Sequence, residues 1–148
     1  MRSSLDQSAT PLVPLDQEIQ NVRDYLEIEH VRFGDRLRYD IHVDESAGRA
    51  VVPRLALQTL VENSVKYAVS PRRDGASVTV AAARTNGRLR ITVLDDGPGF
   101  DEAQVPDGHG LALIRGRLEM LYGNEATLSI STAHGRTTIV MDVPATDA

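Results

Sequence analysis

The chain has 148 residues, a formal net charge of −5 and no cysteine, so it is long enough for one domain with a core of its own. The lack of cysteine excludes a disulfide framework and a thiolate metal site, and it fits a reducing compartment. The sequence contains no apolar run near the roughly 18 residues that a membrane-spanning helix needs. Its acidic balance argues against a general nucleic-acid surface.

The first predicted elements are a tail, a helix and a strand. Residues 1–14 show no hydrophobic periodicity, and we interpret them as a tail or linker. Apolar residues then recur at spacings of three and four, which predicts a helix over residues 15–34 that ends at Gly34. From Arg36 to Val43 apolar and polar residues alternate, which predicts a strand with one buried face.

A second helix is predicted to begin near Pro53, where proline suits a first helical turn. It carries the segment Glu62-Asn63-Ser64-Val65-Lys66-Tyr67, in which a carboxylate, an amide and an ammonium group share one turn. A solvent-exposed cluster with a Glu62–Lys66 ion pair explains this pattern as well as a ligand site does. The helix alone leaves both readings open.

The dipeptide Asn86-Gly87 predicts a tight hairpin between strands over residues 76–85 and 89–94. The second strand runs into Asp95-Asp96-Gly97-Pro98-Gly99-Phe100, where two carboxylates precede two glycines. Taken alone, this motif is as readily an ordinary surface turn as a ligand site. We expect Asp96 to face solvent.

The remaining elements are a glycine-rich helix entry and a second hairpin. Gly108-His109-Gly110-Leu111 opens a third helix that runs to about Tyr122. Two strands, over residues 127–131 and 137–143, then predict a hairpin, and residues 145–148 are interpreted as a tail.

The three motifs suit a nucleotide together. An aspartate at a strand end can accept a hydrogen bond from an exocyclic amine such as that of adenine, and neighbouring glycines let a ligand approach the backbone. A glycine-rich helix entry offers free N–H groups and a positive dipole end to phosphates. An asparagine oxygen suits Mg²⁺. The sequence lacks the P-loop, dinucleotide-binding, nucleophile-elbow and His-Glu-x-x-His motifs, so those classes are excluded.

In this order the motifs resemble the N, G1 and G2 boxes of the GHKL (Bergerat-fold) ATPases. Residues 15–37 are similar to the segment that precedes the ATPase domain in LytS/YehU-type sensor histidine kinases. The resemblance covers residues 14–144. It implies an α+β fold, a two-layer α/β sandwich with helices on one face of a mixed, mostly antiparallel sheet. Residues 15–34 would be a helix leading in from a missing phosphoacceptor region, and residues 35–144 the ATP-binding domain.

The resemblance also implies roles for individual residues. Asp95 would bind the adenine amine, Asn63 would coordinate Mg²⁺, and Glu62 and Asn63 would be catalytic. The implied ATP-binding residues are Asn63, Lys66, Tyr67, Asp95, Gly97, Gly99, Gly108, His109, Gly110, Leu111 and Arg115. For Arg115 a solvated helix face is an equally good interpretation.

The activity implied is that of a two-component sensor histidine kinase, which binds Mg·ATP and donates the γ-phosphate to a histidine on a separate dimerisation domain. A response regulator would be the downstream partner. We expect a cytoplasmic domain with no nucleic-acid partner and no membrane contact of its own, within a protein compatible with an inner-membrane anchor. The isolated fragment should bind ATP with little or no autophosphorylation. The alternatives are a stand-alone GHKL serine kinase of anti-sigma-factor type and a non-catalytic nucleotide-binding module.

Overall fold

The computed structural model describes residues 11–97 and 109–147, and the side chains of His109 and Gly110 are outside this description. In the described part, three α-helices pack against a five-stranded sheet. The helices are α1 (Leu15–Phe33), α2 (Ala56–Ser64) and α3 (His109–Tyr122), and α2 continues directly into a π-helical turn over Val65–Val69. The strands are β1 (Leu12–Pro14), β2 (Leu37–Val43), β3 (Val51–Pro53), β4 (Ala76–Thr85), β5 (Arg88–Asp95), β6 (Thr127–Ala133) and β7 (Arg136–Pro144).

The main sheet has the strand order β2-β4-β5-β7-β6. Strand β2 pairs with β4 in parallel, and the other three pairs are antiparallel. Strands β1 and β3 form a separate two-stranded sheet. This mixed, mostly antiparallel sheet covered by helices confirms the predicted two-layer sandwich.

The core lies between the helices and the inner face of the sheet. Alternation along β5 buries Leu89, Ile91 and Val93 and leaves Arg90 exposed, as expected for a strand with one covered face. Helix α1 buries an apolar stripe made of Leu15, Ile19, Val22 and Leu26. Burying each such side chain contributes roughly 1.5–3 kcal/mol, so α1 is an integral part of the core.

Two predicted turns are confirmed by their backbone geometry. Gly34 has φ 59° and its N–H donates back to the His30 carbonyl, which ends α1 as expected. Asn86 and Gly87 have φ values of 53° and 77° between β4 and β5, the left-handed pair that a two-residue hairpin turn requires.

The chain termini differ from the predicted tails. Within residues 1–14, the segment Leu12–Pro14 is a strand that pairs with Val51–Pro53. Beyond residue 144, the N–H of Ala145 donates to the Gly87 carbonyl at 2.8 Å, and the Thr146 carbonyl accepts from Val51 at 2.8 Å. Both corrections concern backbone pairing between distant segments, which local periodicity cannot show.

The second helix also begins later than predicted. Pro53 ends strand β3, and α2 starts at Ala56 because Leu55 adopts a left-handed conformation with φ 69°. A non-glycine residue in this region is uncommon and costs free energy. None of the described helices combines the length and apolarity that crossing a membrane would demand.

Candidate functional site

Asp95 is a buried carboxylate at the end of the central strand β5. Its residue is 5% exposed, and its Oδ1 accepts a hydrogen bond from the Gly97 N–H at 2.9 Å. Burial raises the pKa of Asp95 above its ordinary value, and the Gly97 N–H opposes that rise by favouring the charged form. The turn therefore fixes one carboxylate oxygen and orients the group.

Gly97 is required by close packing. A Cβ atom at this position would lie 2.5 Å from the Ala68 Cβ and 3.0 Å from the Ala68 Cα. Ala68 belongs to the π turn that extends α2. The glycine thus lets the Asp95 turn pack directly against the π turn that extends the Asn63-bearing helix.

The π turn over Val65–Val69 is a feature that periodicity did not predict. Single π turns inside helices occur frequently at functional sites because they locally widen the helix. Here the turn carries Lys66 and Tyr67 as well as Ala68. The Lys66 Nζ lies 5.3 Å from the centroid of the Tyr67 ring, so the two predicted ligand-binding side chains are neighbours.

Two buried hydroxyl groups beside Asp95, Ser64 Oγ and Thr137 Oγ1, have no hydrogen-bond partner among the described atoms, and Asn63 Nδ2, on the same helix as Ser64, has none either. Thr137 is the residue directly opposite Asp95 in the β5–β7 ladder. Ser64 lies close enough for its hydroxyl to favour the charged Asp95 carboxylate, although the pair does not reach hydrogen-bond geometry. Leaving a buried polar group unpaired costs about 1–3 kcal/mol, so this cluster fits a ligand that supplies the missing partners.

Sequence reasoning missed Ser64 and Thr137 as candidate site residues. Ser64 was within reach, since it adjoins Asn63 in the same motif. Thr137 could be identified only from the strand register, which places it beside Asp95 from more than forty positions away. Asp96, by contrast, is exposed as expected, and its Oδ1 accepts the Ser77 N–H at 2.8 Å.

Glu62 and Lys66 occupy the side of α2 that faces α1. Both are exposed, and Gln58 Nε2 donates to Glu62 Oε2 at 3.0 Å. They line a cavity of about 340 Å³ whose other lining residues are Tyr25, Glu29, Arg32, Phe33, Val65 and Ser70. Asn63, next to Glu62 in the same helix, is half-buried.

The third motif is described only from His109 onward. His109 and Gly110 open α3, so the predicted glycine-rich helix entry is present in the backbone. The Leu111 side chain is buried in the core. Gly99 and Gly108, with the loop between them, lie outside the described residues.

Arg115 lies against the edge strand β6. Its Nη2 donates to the Leu128 carbonyl at 3.2 Å, and it borders a cavity of about 600 Å³ between α3 and β6. Strand β7 separates β6 from β5, which carries Asp95. The structure therefore does not bring Arg115 together with Asp95, and its predicted phosphate contact stays a prediction.

A buried aspartate at a strand end, a glycine turn and an asparagine-bearing helix packed on the sheet are features of a nucleotide-binding α/β sandwich. Residues 48–147 match the family described as histidine kinase-, DNA gyrase B- and HSP90-like ATPase. Residues 1–37 match the family described as histidine kinase. The chain belongs to the histidine kinase-, DNA gyrase B- and HSP90-like ATPase family.

Individual relatives agree with this assignment. The chain is 34% identical to the sensor protein LytS of Staphylococcus haemolyticus over 97% of its own length, and 33% identical to the sensor histidine kinase YesM of Bacillus subtilis over 90%. It spans about a quarter of the length of these relatives, 26% and 24%. These matches confirm the predicted resemblance to the ATP-binding catalytic domain of a LytS-type sensor histidine kinase.

Solved structures show the same fold. The catalytic domain of histidine kinase ThkA in a nucleotide-free form has a TM-score of 0.71 at 15% identity, covering 94% of this chain and 99% of that chain. The blue-light activated histidine kinase of Erythrobacter litoralis EL346 has a TM-score of 0.66 at 22% identity, covering 89% of this chain and 42% of that chain.

Proposed function

We propose that the chain binds Mg·ATP beside Asp95 and, within a longer protein, donates the γ-phosphate to a histidine on a separate helical domain. The observation that carries the proposal is the pair of buried hydroxyl groups, of Ser64 and Thr137, that lie beside the buried Asp95 carboxylate without a hydrogen-bond partner among the described atoms. The relatives named as sensor histidine kinases support the same activity. A related structure is that of histidine kinase ThkA in complex with a response regulator protein, which supports a response regulator as the downstream partner.

Each polar group has a proposed task. The Asp95 carboxylate, oriented by the Gly97 N–H, would accept a hydrogen bond from the adenine amine. Ser64 and Thr137 hydroxyls lie where they could complete the contacts to the base. Asn63 would offer its amide oxygen to Mg²⁺, which commonly takes one or two protein oxygens together with phosphates and water. Lys66 would offset phosphate charge.

Catalysis would come from positioning and charge neutralisation. Glu62 and Asn63 are the proposed catalytic residues because they match the N box and lie within one helical turn of Lys66, which would face the phosphates. Residues 15–34 would connect this domain to the phosphoacceptor region, and residues 35–144 would form the ATP-binding domain. The fragment alone should bind ATP and show little or no autophosphorylation.

The match of residues 1–37 to the histidine kinase family favours this proposal over a stand-alone serine kinase. A non-catalytic nucleotide-binding module would share the same site and differ only in the longer protein. Phosphoamino-acid analysis of that protein separates the three: acid-labile phosphate on histidine supports the proposal, and phosphoserine on a partner or no transfer contradicts it.

Base selectivity tests the site itself. Guanine carries a carbonyl oxygen where adenine carries its amine, so a carboxylate acceptor should reject it. We expect calorimetric titration to show Mg·ATP binding and at least about tenfold weaker Mg·GTP binding, equivalent to about 1.4 kcal/mol. Equal affinities for the two nucleotides would contradict the assignment of Asp95.

A further inference from the structure

Arg36 holds the C-terminal end of the Asn63-bearing helix. It lies between α1 and β2, and its guanidinium reaches the carbonyl groups that follow the π turn. Nη2 donates to Val69 at 3.2 Å, Ser70 at 3.0 Å and Arg72 at 2.8 Å, and Nε donates to Arg72 at 3.3 Å. A rigid, planar cation with several donors suits this position, since carbonyls at a helix end are unpaired and carry partial negative charge.

The Arg36 side chain also packs against the end of α1. The Arg36 guanidinium carbon lies 5.3 Å from the centroid of the Phe33 ring, and Phe33, the last residue of α1, is 9% exposed within the core. The loop after the π turn also closes onto Arg36. A Cβ at Gly75 would lie 1.8 Å from the Arg36 carbonyl oxygen.

Arg36 thus joins two parts of the chain that match different families. It falls within residues 1–37, which match the histidine kinase family, and its carbonyl partners fall within residues 48–147, which match the ATPase family. The π turn that it holds carries Lys66 and Tyr67 and packs through Ala68 against Gly97, beside Asp95.

We propose that Arg36 is a positioning residue that couples the end of α1 to the ATP-binding face of the π turn. A displacement of α1 would then change the placement of Lys66, Tyr67 and the Asp95 turn, which makes the lead-in helix a regulator of nucleotide affinity. The coupling rests on the proposed ATP site. By linkage it is reciprocal, so bound nucleotide must also stabilise the end of α1.

The test uses the 148-residue chain and three variants. Arg36→Gln removes the charge and most donors, and Arg36→Lys keeps the charge but loses the planar fork. The matched control is Arg23→Gln, since Arg23 is exposed on the same helix α1 and does not line the cavity that Glu62 and Lys66 border. We expect Arg36→Gln to weaken Mg·ATP binding about tenfold and Arg36→Lys about threefold, within the usual range of coupling energies. Arg23→Gln should stay within about twofold of the wild type.

Hydrogen exchange distinguishes coupling from simple loss of stability. In the wild type, Mg·ATP should slow amide exchange at residues 33–36, and in Arg36→Gln this ligand effect should vanish while the β6–β7 hairpin keeps its wild-type exchange rates. A purely structural role would lower the melting temperature and leave the ligand effect on α1 in place. If Arg36→Gln does not fold, Arg36→Lys provides the same comparison.

The two proposals fail in different ways. If the wild type does not bind Mg·ATP, the proposed function is refuted, and the coupling with it. If the wild type binds and the Arg36 variants bind equally well, or if nucleotide still protects residues 33–36 in Arg36→Gln, the coupling alone is refuted.

Discussion

The two ends of the segment formed by α2 and the π turn differ in how their neighbouring side chains are hydrogen-bonded. At the C-terminal end Arg36 supplies hydrogen bonds to three carbonyl groups. At the N-terminal end Glu18 of α1 is completely buried, and the N–H groups of Leu55 and Leu57 lie close to its carboxylate, although neither carboxylate oxygen reaches hydrogen-bond geometry with a described atom. Leu55, which precedes the helix, is in a left-handed conformation and offers no side-chain cap.

The two ends of the helix therefore contribute differently: one fixes the geometry of the site, and the other lowers the stability of the fold. The satisfied end is the one that carries Lys66 and Tyr67 and packs on the Asp95 turn, so its geometry is fixed by directional bonds. At the other end, the buried Glu18 carboxylate lowers the stability of the folded protein. Burial raises the pKa of Glu18, although the N–H groups of Leu55 and Leu57 and the charge of Arg117 favour its ionised form.

The largest effect is expected for Gly97→Ala, which disturbs the packing of the Asp95 turn against the π turn. The new Cβ would meet the Ala68 Cβ at 2.5 Å, and overpacking of this kind costs about 1–3 kcal/mol. We expect urea unfolding to show that loss and calorimetry to show no measurable Mg·ATP binding. In the Ala68→Gly background the clashing methyl is absent, so Gly97→Ala should cost less there. An equal cost in both backgrounds would contradict the proposed packing.

A smaller effect in the opposite direction is expected at the unsatisfied end with Glu18→Gln. The pKa of Glu18 in the folded state is raised above its ordinary 4.5. The protonated side chain therefore contributes to the free energy of unfolding below pH 4.5, and this contribution is lost as pH rises through the folded-state pKa. The free energy of unfolding of Glu18→Gln should therefore be about 1–2 kcal/mol higher than that of wild type at pH 8.

At pH 4 that difference should shrink toward zero or reverse, because wild-type Glu18 is then protonated. Urea unfolding at both pH values measures the change. Glu27→Gln, on the exposed face of the same helix, is the matched control and should show neither effect. A Glu18→Gln variant less stable than wild type at pH 8 would mean that the carboxylate is well compensated.

The smallest effect is expected for Thr137→Val, which removes the unpaired hydroxyl opposite Asp95 at nearly constant volume. Stability should rise or stay level, by at most about 1 kcal/mol, while Mg·ATP binding weakens by about threefold if the hydroxyl contacts the nucleotide. Thr138→Val, on the opposite face of the same strand, should leave binding unchanged. Equal binding by both variants would exclude Thr137 from the site.

Local features of the fold followed from sequence because their causes are local. The Asn86-Gly87 turn, the end of α1 at Gly34 and the strand leading to Asp95 are set by backbone preferences and alternation within a few residues. The order of the three motifs further predicts a nucleotide site beside Asp95, and that location stays a prediction.

Other features depend on contacts between distant segments. Thr137 joins the site only through the register of β7 against β5. Glu18 lies in the first turn of α1, where acidic residues are common, and its burial follows from how α1 packs on α2. The π turn and the Arg36 contacts arise where α1, α2 and the Gly75 loop meet, so no local sequence pattern predicts them.

The central claim, that Asp95 is the adenine-binding wall of an ATP site, is tested most directly by comparing Asp95→Asn with Asp96→Asn in a Mg·ATP titration. Asp96 is the matched neighbour, since its side chain is 45% exposed and accepts the Ser77 N–H. The account predicts that Asp95→Asn weakens binding by at least about tenfold, equivalent to about 1.4 kcal/mol, while Asp96→Asn stays within about threefold of wild type. Undiminished binding by Asp95→Asn, or an equal loss in both variants, would contradict it.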